Sequence, residues 1–210
     1  MYLKPLIICH RKNTIKQLID TPTEYGVEID VRSYNNKIIL NHDPMKNGEF
    51  LDNWIRKYNH KFLIINIKEE GLEKYIIKIL KNKKIKDFFF LDQSFPFLIK
   101  TLNSNETRCA IRFSEYEDIK TINNLKKKIN WVWVDHFSKF PLNKSISNSL
   151  KKKNIKICIV SPEIVKKTTI QNLKKLKNSI KKKIYILMLC VQKILKYGIN
   201  KNEFILSNKK

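Results

Sequence analysis

Short apolar, β-branched or aromatic runs recur along this chain, and most of them show no alternation with polar residues. They lie at Leu6–Cys9, Val27–Val31, Phe62–Ile67, Phe88–Leu91, Cys109–Phe113, Trp131–Val134, Ile157–Val160 and Ile184–Cys190. A strand with one face in water alternates, whereas a strand covered on both faces does not. Between the runs lie stretches with helical spacing. Leu72, Tyr75, Ile76, Ile79 and Leu80 form one, and Ile164, Ile170, Leu173 and Leu176 form part of another. Strands that alternate with helices are βα units, and such units build a parallel sheet. Eight of them in 210 residues predict an α/β protein, a compact single-domain (β/α)8 TIM barrel over residues 1–206 with residues 207–210 as a loose tail. Ile38–Leu40, after the Asn35-Asn36 turn, reads as a hairpin finishing the second strand. The alternative is a doubly wound open sheet, which announces itself with a glycine-rich first turn. Here the four glycines are Gly26, Gly48, Gly71 and Gly198, with no GxGxxG and no P-loop.

The charge needs care. Lys and Arg number 43 against 19 acids, a formal net charge of +24. Lysine supplies 38 of the 43, and Lys, Asn and Ile together make up 92 of the 210 residues. All three have A/T-rich codons, so an AT-rich genome produces this bias without selection for binding. Lys126–Lys128, Lys151–Lys153, Lys181–Lys183 and the Lys81–Lys86 stretch each precede a strand. They read as helix C-termini, where cations complement the macrodipole, on the face of a barrel opposite its active site. The same runs leave open a weak contact of the Lys-rich face with anionic membrane or nucleic acid. No RNP-like motif, zinc finger or helix-turn-helix is present, so no specific nucleic-acid partner is expected. Cys9, Cys109, Cys158 and Cys190 lack metal-type spacing and sit in apolar runs, as reduced core residues do. The longest apolar run is Ile186–Val191, far short of a membrane span, and the N-terminus has no long apolar leader. The expected location is the cytoplasm. Mean hydropathy is −0.39, which excludes a membrane-embedded chain.

Polar residues gather where the strands end. Strand one ends in His10-Arg11. Strand two carries Glu28, Asp30 and then Arg32, and the hairpin leads to Asn41-His42-Asp43-Pro44. Asn66, Lys68, Glu69 and Glu70 close strand three, Asp92 strand four, Arg112 and Glu115 strand five, and Asp135-His136 strand six. Catalytic groups of such a barrel come from these ends. A spacing of two on a strand places the Glu28 and Asp30 carboxylates on one side. Two carboxylates facing a barrel interior repel and are costly to desolvate. A divalent cation resolves that, and oxygen ligands suit Mg²⁺ or Ca²⁺. An alternating exposed strand, or salt bridges to Arg11 and Arg32, is the competing explanation. His10 and His42 are two of only four histidines. Two imidazoles flanking a metal-bound phosphate serve as base and acid in phosphodiester cleavage, while singly each also fits a structural role. His60 has no such context.

Taken together, His10-Arg11, Gly26-Val27-Glu28-Ile29-Asp30-Val31 and Asn41-His42-Asp43-Pro44 resemble the glycerophosphodiester phosphodiesterase family over residues 6–44. That family shares its barrel with phosphatidylinositol-specific phospholipase C and sphingomyelinase D-type enzymes. The resemblance implies a general acid/base pair in His10 and His42, metal ligands in Glu28 and Asp30, and phosphate-holding cations in Arg11 and Lys68. Asn66-Ile67-Lys68 looks like the family's acidic-x-Lys, which makes Asn66 the third ligand. Asn13 lies near positions where relatives bind phosphate or metal. Asp92, Arg112 and Asp135 then line the mouth and meet the leaving alcohol, or else form a structural ring of salt bridges.

Three departures stand out. Asn66 replaces an acid, which removes one negative charge from the site and lowers its affinity for a cation, and Glu69 or Glu70 substitutes only if the strand end bends. Lys12 replaces the usual glycine after the His-Arg pair. Only Met45–Lys61 separates the His-Asp motif from strand three, so the cap over the pocket is small. The expected function is a metal-assisted phosphodiester hydrolase acting on a small glycerophosphodiester-like substrate. The rivals are a catalytically weak or inactive barrel that binds a phosphorylated metabolite, a basic nucleic-acid or membrane-surface binder, and a nuclease.

Overall fold

The computed structural model describes residues 5–125, 129–165 and 188–191. In chain order the elements are β1 (Leu6–Cys9), α1 (Ile15–Ile19), β2 (Gly26–Tyr34), β3 (Lys37–Leu40), β4 (Glu49–Phe50), α2 (Leu51–Ile55), β5 (Leu63–Ile67) and α3 (Glu73–Asn82). There follow β6 (Phe88–Leu91), α4 (Phe95–Asn103), β7 (Ala110–Phe113), α5 (Ile119–Asn124), β8 (Trp131–Val134), α6 (Lys144–Lys152), β9 (Lys156–Val160), α7 (Pro162–Val165) and β10 (Met188–Val191). Every apolar run contains a strand; residues 184–187 of the last run lie outside the described residues. Ile170, Leu173, Leu176, two of the lysine runs and the tail lie outside them as well.

The described residues fall into two compact units, the first being 8–111 with 129 and 130. There β1, β2, β5 and β6 lie side by side and parallel. Ile8 pairs with Gly26, Val27–Val31 with Leu63–Ile67, and Leu63–Asn66 with Phe88–Leu91. A bridge from Phe90 to Cys109 extends the order. One edge of β2 serves two partners, β1 at its start and antiparallel β3 at its end, where Val31 faces Leu40. The hairpin turns through Asn35 and Asn36, both at positive φ (47° and 59°), a two-residue turn that asparagine tolerates. Gly26 is required where the strands crowd. A Cβ there would stand 2.3 Å from Ile8 Cδ1 and 2.9 Å from the Phe62 carbonyl.

In β5 and β6 the absence of alternation is explained by burial on both faces. Gly26–Val31 alternates apolar with acidic residues and is nonetheless buried throughout, Glu28 and Asp30 included. Helix α3 sets Ile76 and Leu80 inward and leaves Tyr75 exposed. Helix α1 opens with a capping box: Thr14 Oγ1 accepts from the Gln17 N–H and Gln17 Oε1 from the Thr14 N–H. That fixes where the chain re-enters a helix after the His10 loop. The short α2 escaped the sequence reading because its five residues span little more than a turn. It buries Leu51, Trp54 and Ile55.

In the second unit β7, β8, β9 and β10 are successive neighbours. Val132 pairs with Ile157, and Ile159 with Leu189, both in parallel. Lys151 and Lys152 occupy the last turn of α6, where cations complement the helix dipole. The four cysteines are buried and form no disulfide. The α/β class with parallel strands is therefore what the chain adopts. Neither unit's sheet closes on itself, so a closed eight-stranded ring is not what these ladders display. Among the described residues no helix is long and apolar enough to cross a membrane.

Candidate active site

In the first unit the C-terminal ends of β1, β2, β5 and β6 meet at one end, because the strands are parallel. His10 leaves β1 there, and Glu28 and Asp30 stand in β2. Asn66 faces Asp30 in register from β5. Lys68 and Asp92 follow β5 and β6, and His42 follows β3. The fold thus brings together eight of the ten residues singled out above.

Both carboxylates are fully buried. The Arg11 N–H donates to Glu28 Oε2 at 2.7 Å, from a residue at φ 52°, a turn that aims the amide inward. Asp30 and Asn13 bond reciprocally: the Asp30 N–H donates to Asn13 Oδ1 and Asn13 Nδ2 to Asp30 Oδ2, each at 2.9 Å. Two cations flank Asp30, with Arg11 Nε 3.8 Å from Oδ2 and Lys68 Nζ 3.6 Å from Oδ1. Lys68 Nζ is also 3.6 Å from Asp92 Oδ2. His10 Nε2 lies 3.6 Å from Glu28 Oε2. His42 is half-exposed, and its Nδ1 is 3.0 Å from Asp43 Oδ1, a carboxylate also paired with Lys46.

Burial, and then the Asp30 charge, hold the Glu28 carboxyl well above the ordinary carboxylate range; the Arg11 N–H, Asn66 and Lys68 act the other way. Burial first, then the charges of Arg11, Lys68, His42 and Lys12, push the His10 imidazole down to about 3. His10 is thus neutral at ordinary pH. His10 therefore makes unfolding easier in acid, while the raised Glu28 carboxyl acts in the opposite sense. The unfolded chain takes up a proton near pH 6.5 that the folded chain refuses until about 3, so the His10 contribution to stability falls as pH drops through that window. Denaturant titrations between pH 7 and 4 should show this contribution as a difference in slope between the protein and His10→Gln, the variant losing less stability toward acid. An unchanged slope in the variant would remove His10 from the account.

Three buried oxygens at this end lack a hydrogen-bond donor: Glu28 Oε1, Asp30 Oδ1 and Asn66 Oδ1. They belong to neighbouring strands and are hard donors of the kind Mg²⁺ and Ca²⁺ take. Among the described residues no three His, Cys, Asp or Glu side chains form a metal group, so the trio depends on the Asn66 amide. Glu69 does not supply the missing acid. Its carboxylate accepts from the Ser33 N–H at 2.7 Å and from Ser33 Oγ at 2.5 Å.

Arg112 and Asp135 lie in the second unit, where Arg112 Nη1 donates to Asp135 Oδ2 and Trp133 Nε1 to Asp135 Oδ1 at 3.3 Å. For this pair the salt-bridge arrangement is the one found. His60 Nε2 meets the Thr21 carbonyl at 2.9 Å, which agrees with a structural role. The sequence reading missed what Arg32 does, the Asn13 exchange with Asp30, and Trp54, whose Nε1 donates to the Lys12 carbonyl at 2.8 Å. All three are contacts between distant segments, and only the His-Arg-x-Asn spacing hinted at one of them.

No family model and no curated protein matches this sequence. Solved structures do. The crystal structure of a glycerophosphodiester phosphodiesterase from Agrobacterium tumefaciens superimposes with a TM-score of 0.59 at 12% identity, covering 88% of this chain and 96% of that one. A glycerophosphoryl diester phosphodiesterase from Parabacteroides distasonis gives 0.56 at 14% identity, covering 88% and 82%. The likeness is one of fold, and at that level it bears out the resemblance read from the sequence.

Proposed function

We propose that this chain, which has the fold of glycerophosphodiester phosphodiesterases, is itself a metal-assisted phosphodiester hydrolase on a (β/α)8 barrel, acting on a small glycerophosphodiester-like substrate. One observation carries the reading. Two fully buried carboxylates and an amide, each with an oxygen that accepts no hydrogen bond, stand beside a neutral, buried histidine, all at the C-terminal ends of adjacent parallel strands. Packing alone gives no reason to desolvate such groups together.

Glu28, Asp30 and Asn66 would hold a divalent cation, Mg²⁺ or Ca²⁺, which when bound neutralises charge on a phosphoryl oxygen. Arg11 and Lys68 attract and orient the phosphate. Neutral His10 accepts the proton of the attacking hydroxyl, and His42 protonates the departing alcohol oxygen. The attacking hydroxyl is that of water or of a carbon β to the phosphate; in the second case attack is intramolecular and favoured by proximity. Asp92 contributes to the mouth and steadies Lys68.

A second reading has one observation in its favour. With Asn66 in the third position the site carries one negative charge fewer, which weakens cation binding. A barrel that binds a phosphorylated metabolite without turning it over is the outcome if that loss is decisive.

The test is hydrolysis of a panel of glycerophosphodiesters and a chromogenic diester with Mg²⁺, Ca²⁺, Mn²⁺ or EDTA. Turnover that needs a cation and falls to background in Glu28→Gln is expected. Diester binding without turnover selects the second reading, and cation-independent turnover unaffected by Glu28→Gln overturns the site.

A further inference from the structure

We propose that Arg32 is a positioning residue for this site: a single guanidinium that ties the His42 loop to the Lys68 strand end. The inference rests on the hydrolase reading above for what the tie achieves, though not for its existence. Strand alternation places Arg32 on the same side of β2 as Glu28 and Asp30. Its guanidinium nonetheless bonds backbone carbonyls. Nε and Nη2 donate to the His42 carbonyl at 3.3 and 3.0 Å, and Nη1 donates to the Lys68 carbonyl at 3.1 Å.

The two carbonyls belong to segments that the sheet does not join. β3, which leads to His42, pairs with one edge of β2, and β5, which leads to Lys68, pairs with the other. The guanidinium reaches both from β2 itself. The His42 loop is shaped from within: Asn41 Nδ2 donates to the Asn47 carbonyl at 2.7 Å, and the Asp43 N–H to Asn41 Oδ1 at 2.9 Å. Such bonds set the loop's form without setting where His42 stands. The Asn41 N–H to the Asp30 carbonyl, 3.1 Å, anchors the loop's start. At His42 itself the backbone is held by Arg32, while the half-exposed imidazole has, among the described residues, the neighbouring exposed Asp43 as its hydrogen-bond partner. A planar fork with fixed donor directions can bond two carbonyls at once; a lysine ammonium lacks that geometry.

A histidine displaced by about 1 Å from its proton-transfer position costs on the order of 100-fold in rate. Arg32→Gln is therefore expected to lower kcat about 100-fold with KM little changed, and Arg32→Lys to recover only part of it. Hydrogen exchange of the same proteins should show faster exchange confined to residues 41–48 and 68–71, with β5 protected as in the wild type. Exchange reads the tie whether or not the panel contains the substrate. Wild-type exchange in both segments of Arg32→Gln overturns the proposal, as does a loss that appears in KM alone, which means Arg32 touches substrate. If Arg32→Gln does not fold, the same measurements on Arg32→Lys decide the matter by the same outcomes. Faster exchange in Arg32→Gln, when the wild type binds a diester without turning it over, would sustain the tie and reject the hydrolase reading.

Discussion

His42→Ala is expected to cut kcat by about 10²–10⁴-fold on a glycerophosphodiester, the span that general acid–base groups contribute. The loss should shrink on a chromogenic diester whose leaving group departs without a proton. That contrast separates an acid acting on the leaving oxygen from a residue that merely binds. Stability should barely change, since the side chain is half-exposed and its imidazole meets the exposed Asp43 carboxylate. Steady-state kinetics on both substrates and a thermal melt suffice. Equal losses on the two substrates would take the acid role from His42, and full activity on both would take it out of the reaction. His10 differs in kind: it is buried, its depressed basicity keeps it neutral, and its removal affects folding as well as proton transfer.

Trp54→Ala is expected to destabilise the chain by about 3–5 kcal/mol, as for other buried aromatic truncations. The indole is fully buried, stacks on Tyr58 with ring centroids 5.6 Å apart, and bonds the Lys12 carbonyl. Lys12 lies between His10 and Asn13, so the same residue supports the fold and the loop that carries two site residues. Trp54→Phe keeps most of the packing and removes the N–H, at a cost of about 1 kcal/mol. Denaturant unfolding measures both. If the alanine variant loses less than about 1 kcal/mol, the pocket collapses around the gap and Trp54 is not the support described.

The strands were legible because burial on both faces leaves a mark that depends on sequence neighbours alone. Leu63, Ile64 and Ile65 of β5 and Phe88–Leu91 of β6 are consecutive apolar residues, so both faces of each strand are apolar. The hairpin was legible in Asn35-Asn36, since a left-handed turn restricts residue type locally. The candidate site was legible where its parts sit close in sequence: Glu28 with Asp30 on one strand, His10 with Arg11, and His42 with Asp43. The two-residue β4 and the short α2 left no periodic signal. The mouth residues show the opposite limit. Asp92 was read from its place at a strand end and lies against Lys68, but for Arg112 and Asp135 the same rule left a mouth role and a salt bridge equally open, and the ion pair between them is visible only in the structure.

What the sequence determined by itself is the class of the fold, the order of its strands, and the chemical types available at each strand end. Those follow from local preferences and from alternation. Tertiary structure decided which of these groups meet. It turned Glu69 toward Ser33, joined Asn13 to Asp30, placed Lys68 between Asp30 and Asp92, and sent Arg32 to two carbonyls instead of a carboxylate. Each of these contacts except the Arg32–His42 bond joins partners at least 17 positions apart in sequence, across strand pairings that the register sets. A side chain's partner depends on distances through space, and those exist only once the sheet has formed.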